Sequence, residues 1–230
     1  GVARDERRRR AADWLERCHI ADFGEHYPHQ LSGGMRQRIL IASAFAAEPK
    51  LIVADEPQTA LDVTVQAQIL DLMGDLRSRT GAAVMLVTHD LGVVAQTCDD
   101  VVVMYAGEIV FSGTANQVLK RPVHPYARGL LSSIPRLKDA VVPPSMPAQP
   151  PAPGGVGKGC AFVDRCSMAE HRCYEERPAL GVTAKSELVR CHFYQKIDQL
   201  PPVEMPTRRE SNIADQADIL LNLDQVAISY

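Results

Sequence analysis

Helical and strand-like apolar spacings alternate along the first half of the chain. Residues 5–17 predict one helix, and residues 24–30 a short connection carrying Tyr27-Pro28. Ser32 is a natural N-cap for a helix running to about Ala47, and Pro49 stops the chain ahead of the next element. From Leu51 the run Ile52-Val53-Ala54 predicts a buried strand that ends in two carboxylates, Asp55 and Glu56. Residues 62–79 predict an amphipathic helix ended by Gly81. Ala83 to Val87 predict a second buried strand, with His89 at its carboxyl end, and residues 91–97 a short helix. Residues 101–104 and 108–111 then predict two strands around the hairpin signal Ala106-Gly107. Alternation of this kind predicts an α/β fold built on a parallel sheet.

Past Gly113 the elements shorten. Residues 115–119 predict a short helix closed by Arg121-Pro122, and His124 to Pro135 a further compact segment. Residues 143–153 are rich in proline and predict an extended connection. Pro201, Pro202 and Pro206 with Arg208-Arg209-Glu210-Ser211 predict a polar linker, and residues 218–230 a strand.

Composition narrows this picture only a little. The chain has 230 residues, 46% hydrophobic and 23% charged, enough for one large domain or two small ones. Its net charge of -3 selects no partner. With no long apolar run and no signal-peptide pattern, the expectation is a chain that neither spans a membrane nor is exported. Arg7-Arg8-Arg9-Arg10 lies in a helical stretch and reads as a solvated helix face rather than a nucleic-acid or lipid patch.

Two segments carry candidate chemistry. In Leu31-Ser32-Gly33-Gly34-Met35-Arg36-Gln37-Arg38, a serine and two glycines open a helix. Such a start presents bare N–H groups and a hydroxyl to a phosphate, and the glycines allow close approach. Asp55 and Glu56 end a strand, where one carboxylate can hold Mg²⁺ through its water shell and the next can poise a water for attack on a γ-phosphate. His89 ends the neighbouring strand, the end at which ligands bind in open parallel sheets. Alone, a glycine-rich helix start, capping carboxylates or a core histidine would explain each of these. Order and spacing favour the joint reading.

Together the segments resemble the ABC-transporter ATPases: Leu31 to Arg38 the family signature, Leu51 to Glu56 the Walker B strand, Pro57 to Asp62 the D-loop that crosses the ATPase dimer interface, and His89 the switch histidine. The resemblance implies a partial P-loop NTPase domain with a parallel sheet and a helical subdomain. It assigns Ser32, Gly33 and Gly34 to the γ-phosphate of a partner's ATP, Asp55 to Mg²⁺, and Glu56 and His89 to catalysis. Gln37 and Asp62 join the nucleotide-binding set, although Gln37 and Arg38 by themselves read as packing or pairing within the signature helix, and Asp62 as the N-cap of the next one. The segment from His124 to Pro135 resembles the tail of the oligopeptide, dipeptide and nickel importer ATPases.

Cys160, Cys166, Cys173 and Cys191 follow at spacing C-x5-C-x6-C-x17-C, whereas Cys18 and Cys98 are isolated. In a reducing compartment such a cluster is read as zinc ligands, iron–sulfur ligands or four reduced structural thiols, and the absence of a C-x2-C knuckle leaves these open. Gly159-Cys160-Ala161-Phe162 and Arg165-Cys166 resemble the cysteine-bearing tail of the peptide-importer ATPases, some of which hold a four-iron four-sulfur cluster. Asp164 and Ser186-Glu187 depart from that family's pattern.

The P-loop motif G-x-x-x-x-G-K-S/T does not occur in these residues. Gly154-Gly155-Val156-Gly157-Lys158-Gly159 is rejected because it ends in glycine rather than a hydroxyl residue and follows no predicted strand. The family's P-loop precedes the signature, so the expected division is 1–122 as the C-terminal part of an ATPase domain, 123–200 as a cysteine-bearing extension and 201–217 as a linker. Residues 218–230 then resemble the opening strand of a second ATPase domain, with Tyr230 stacking on adenine, or are the tail of a single-ATPase subunit. The expected role is the ATP-hydrolysing subunit of an importer of peptides or related small solutes, peripheral on the cytoplasmic face of the membrane, and probed alone this piece is expected to be inactive. Expected partners are a second ATPase domain, two permease subunits and, indirectly, an extracytoplasmic solute-binding protein, without nucleic acid. A non-transport ABC ATPase and a non-catalytic binding module are the competing readings.

Overall fold

A computed structural model describes residues 2–134, 146–152 and 154–201. The expected linker at 201–217, the strand at 218–230 and Tyr230 therefore lie outside the described residues, apart from Pro201.

The first body is helical on one side and a two-stranded sheet on the other. Helix α1 (Arg4–Arg17) leads through two 3₁₀ turns to α2 (Gly33–Phe45), then β1 (Leu51–Asp55), α3 (Val63–Thr80) and β2 (Ala83–Val87). Ser32 caps α2 by accepting the Met35 N–H at 3.3 Å. The helix stops at Phe45, short of Ala47, because Pro49 disfavours helical backbone at the residue before it, and Glu48 takes a left-handed φ of 50°. Asp62 caps α3 through the Val65 N–H at 2.9 Å, and Gly81 ends it at φ 71°. Cys18, Ile41, Phe45, Ile69, Leu72 and Leu76 form the buried core, onto which Ile52, Ala54 and Val84 turn from the sheet. The opposite sheet face presents Leu51, Val53, Met85 and Val87 to solvent.

The second body begins with α4 (Leu91–Thr97), capped by Asp90, and continues through β3 (Asp100–Tyr105), β4 (Glu108–Thr114), α5 (Ala115–Lys120) and α6 (Pro125–Ser132). The cysteine segment adds α7 (His171–Glu175), β5 (Gly181–Val182), β6 (Leu188–Val189) and α8 (Tyr194–Asp198). The expected parallel sheet is realised in β1 and β2, paired parallel with Asp55 opposite Val87. The other four strands make an antiparallel sheet in the order β3-β4-β6-β5. Strands β5 and β6 were not foreseen, since two residues each are too few to show an alternation. Phe111, Val118, Val123, Ala127 and Val189 bury one core across the position where 122 meets 123.

His124 sits at the heart of this body, 1% exposed, accepting the Tyr126 N–H at Nδ1 and hydrogen-bonded to the Arg190 backbone. Burial pushes its pKa down to about 4 from an ordinary 6.5. Between those values the unfolded chain binds a proton that the folded chain refuses, so this contribution is complete above pH 6.5 and is lost as the pH falls toward 4. The loss across the window is roughly 3 kcal/mol. Urea midpoints measured from pH 7 to 4.5 should fall more steeply for the native sequence than for His124→Gln; equal slopes would refute the assignment.

The two signature glycines face different neighbours. A Cβ on Gly34 would stand 2.7 Å from Val65 Cγ1, a stiff β-branched side chain on α3, whereas one on Gly33 would meet Leu61 Cδ2 at an ordinary 3.5 Å. Gly34→Ala is therefore expected to destabilise the fold by about 1–3 kcal/mol by overpacking, and Gly33→Ala by no more than about 1 kcal/mol. Chemical denaturation of the two variants checks the order; equal losses would refute the packing account.

Candidate functional site

Parallel pairing brings the carboxyl ends of β1 and β2 side by side. Beyond Asp55 the ladder gains one more bond, from the Glu56 N–H to the Val87 carbonyl at 2.9 Å. Glu56 takes φ 45°, a left-handed conformation uncommon outside glycine, which turns its side chain out of the strand line. Its Oε1 meets His89 Nδ1 at 2.6 Å, and its Oε2 accepts the Thr59 hydroxyl at 3.2 Å. The hydrogen bond to His89 holds the Glu56 carboxyl below the usual carboxylate range, and the same bond raises His89 above the usual imidazole range. Both shifts favour the charged forms, a carboxylate facing an imidazolium. The pair is open to water, with the His89 side chain 85% exposed.

Asp55 is exposed at the strand end and shares a groove with Gln37, Leu40, Val53 and Pro57. Gln37 thus faces the β1 end. Arg38 reaches outside its own helix, donating to the Cys18 carbonyl at 3.1 Å and to Gln68 Oε1 at 3.0 Å, and so ties α1, α2 and α3 together. Ser32 and Gly33 are exposed at the start of α2. Among the described residues no hydrogen bond joins Ser32, Gly33 or Gly34 to Asp55, Glu56 or His89. The structure therefore assembles Asp55, Glu56 and His89 at one place and leaves the signature facing outward, with the loop carrying Leu61 and Asp62 beside it.

A second cluster lies in the cysteine segment. Cys160, Cys166, Cys173 and Cys191 line one small cavity with His124, Phe162 and Phe193. The loops are closely fitted: Cys160 N–H donates to the Cys173 carbonyl at 2.8 Å, and a Cβ on Gly159 would lie 2.3 Å from that same oxygen. All six cysteines of the chain are free thiols. Burial pushes Cys160 and Cys166 up and Cys191 up to about 12, and each of the three also feels the charge of other cysteines in the cluster. Among the described residues no group of three His, Cys, Asp or Glu side chains is gathered tightly enough to hold a metal ion. The glycine-rich loop at 154–159 follows no strand; Arg177 pins it through the Gly157 and Gly159 carbonyls.

Two polar residues of these sites lie in segments that the sequence singles out, but nothing in it marks them as buried. Gln58 is buried between the strand ends, and His124 lies under the cysteine cavity. The segment resemblance says nothing of burial at a single position, and only tertiary pairing reveals it.

Residues 2–59 match the family model described as ABC transporter, and residues 112–173 the one described as oligopeptide/dipeptide transporter, C-terminal region. A Brucella melitensis biotype 1 protein named as a peptide import ATP-binding protein is 46% identical over 207 residues, covering 86% of this chain and 61% of that protein. The oligopeptide transport ATP-binding protein AppD of Bacillus subtilis strain 168 is 41% identical over 199 residues, covering 85% of this chain and 61% of AppD. Among solved structures, cbiO1 from Clostridium perfringens, part of the ABC transporter complex cbiONQ, is 31% identical, with a TM-score of 0.48 over 51% of this chain and 47% of that one. The chain thus spans about three fifths of the length of the curated relatives it matches. Among the described residues no helix is long and apolar enough to cross a membrane. With both family models in chain order and relatives at 41% and 46% identity, the chain belongs to the ABC-transporter ATP-binding proteins, in the oligopeptide/dipeptide branch.

Proposed function

We propose that the chain supplies the signature, the catalytic carboxylate and the switch histidine of an ATPase subunit that powers import of peptides or related small solutes. The observation that carries the reading is the 2.6 Å contact between Glu56 and His89 at the ends of two parallel strands. The family uses ATP with Mg²⁺. Asp55, exposed at the strand end, is the residue that would hold Mg²⁺ through water. Glu56 accepts a proton from the attacking water, and His89, hydrogen-bonded to it, orients that water toward the γ-phosphate. Ser32, Gly33 and Gly34 face away from this carboxylate, which supports a composite arrangement in which they bind a nucleotide held by another ATPase domain. Gln37, beside Asp55, and Asp62, in the loop next to the signature, belong to the same dimer interface.

The importer branch is favoured over a non-transport ABC ATPase by the match of residues 112–173 to the oligopeptide/dipeptide transporter C-terminal region and by the names of the relatives, peptide import and oligopeptide transport ATP-binding proteins. Permease subunits, a solute-binding protein and a place on the cytoplasmic face of the membrane follow from that reading. In the same reading residues 1–122 are ATPase domain, 123–200 the extension and 201–217 a linker, and Tyr230 belongs to a further strand.

For the extension we propose a four-iron four-sulfur cluster held by Cys160, Cys166, Cys173 and Cys191. What supports it is that all four thiols line one cavity. Such a group would staple the loops and supply a one-electron redox centre.

Two measurements test these assignments. In the intact transporter complex, Glu56→Gln is expected to lower Mg-dependent ATP turnover at least about a hundredfold, while residues 1–230 alone give none above background. Turnover by the piece alone that disappears with Glu56→Gln would overturn the composite arrangement. Anaerobic purification with iron and sulfide assays should find about four of each per chain; colourless, metal-free protein would leave four structural thiols.

A further inference from the structure

Beside the exposed Glu56–His89 pair lies a second, partly buried cross-link between the same two turns. Gln58 is 4% exposed, and its Nε2 donates to Thr88 Oγ1 at 3.0 Å. Gln58 follows Glu56 by two residues, and Thr88 immediately precedes His89. Thr88 Oγ1 also accepts the Asp90 N–H at 3.1 Å, which fixes the far side of His89 as well. Asp90 in turn caps α4 through the N–H groups of Gly92 and Val93, at 2.8 and 3.3 Å. On the other side, the Gln58 carbonyl accepts from Gln66 Nε2 at 3.3 Å, and the same amide donates to the Leu61 carbonyl at 3.0 Å. The Gln58 side chain therefore joins the turn that carries Glu56 to the turn that carries His89, and the Gln66 side chain ties the Gln58 backbone to the loop that leads to Asp62.

The two cross-links differ in kind. The Glu56–His89 contact is solvent-exposed and is made by the reacting groups themselves, so both must give it up in part to engage water and phosphate. The Gln58–Thr88 bond is partly buried and uses neither of these groups, so it need not open when they engage water and phosphate. The other end of the Gln58 amide, Oε1, is buried without a hydrogen-bond partner among the described residues. A buried amide that leaves one polar atom unpaired is costly to keep for packing alone, since an apolar side chain would fill the same space without that penalty.

On the ATPase reading given above, we infer that Gln58 is a positioning residue that holds Glu56 and His89 in register with each other through Thr88. It touches neither nucleotide nor water. It fixes the backbone of both turns, so that the carboxylate and the imidazole keep their separation when their direct contact opens, and it ties that geometry to the interface loop through Gln66.

The test uses the intact transporter complex, with the wild type and Glu56→Gln as references. Gln58→Ala and Thr88→Val should each lower kcat about tenfold, with KM for ATP unchanged within about twofold, the pattern of lost alignment rather than lost binding. The double variant should be no slower than the slower single one, because both remove the same bond. Thr88→Ser, which keeps the acceptor oxygen, should restore wild-type kcat. Thr88→Val is nearly isosteric and carries the test if Gln58→Ala fails to fold. An unchanged kcat in Thr88→Val, losses that multiply in the double variant, or an equal loss in Thr88→Ser and Thr88→Val would each overturn the inference. A wild-type complex without Mg-dependent turnover, or one in which Glu56→Gln stays active, would instead overturn the ATPase reading itself, and this inference with it.

Discussion

A single register, Asp55 opposite Val87, decides where Glu56 and His89 stand. In a parallel pair the side chains alternate from face to face, so a slip of one residue would turn Ile52, Ala54 and Val84 away from the helices and bring Leu51, Val53 and Met85 inward. The core under α2 and α3 resists that slip, because Ile69, Leu72 and Leu76 pack on the face that Ile52 and Ala54 occupy. Held in this register, the strands end together, and the Glu56 N–H finds the Val87 carbonyl as a last rung. The left-handed turn at Glu56 then has a fixed base from which to aim its carboxylate at His89.

The same packing constrains the signature from the other side. Gly34 is held against Val65 by the crossing of α2 over α3, and Gly33 lies near Leu61 at the start of the loop that Asp62 closes. The glycines thus serve two demands, close packing at position 34 and an open helix start at 33. Conventional caps do the rest: Ser32 for α2 and Asp62 for α3 each satisfy an N–H that would otherwise lack a partner. A residue assigned to nucleotide can therefore also be a cap, and loss of function on its replacement has to be separated from loss of helix.

Much of this was legible in the sequence because it rests on local rules. The helix at 91–97 and the helix–strand succession from Ser32 to Val87 are set by capping residues, apolar period and the breakers Pro49 and Gly81, all of which act over a few positions. The meeting of Glu56 and His89 was legible for a different reason: two strands with a helical crossover must run parallel, and their last residues must then be neighbours. What escaped is non-local. Gln58 sits among Pro57 and Thr59 with nothing to mark it as buried, and it finds Thr88 only after the sheet has formed. The pattern C-x5-C-x6-C-x17-C does not say that four thiols line one cavity, since that depends on how β6 returns to β4. Strands of two residues carry no period to read.

That return also settles how the cysteine segment is held. Phe111 pairs with Val189, Arg190 N–H donates to the Val110 carbonyl at 2.9 Å, and the Arg190 guanidinium reaches the Ile109 carbonyl at 3.0 Å. Arg177 adds an ion pair to Glu108 at 2.9 Å. Cys191 thus follows a residue fastened to β4 by backbone and side chain, and His124 fastens the same residue to α6. Helix α4 completes the connection, because Val94 packs with Leu119 of α5 and Leu131 of α6 while its N-terminus is capped by Asp90, next to His89. The extension therefore continues the second sheet rather than hanging from it. Packed elements thus run from the turn at His89 through α4 to α5 and α6, whose Val118 and Ala127 share a separate core with Val189 and Cys191 beside the cysteine cavity.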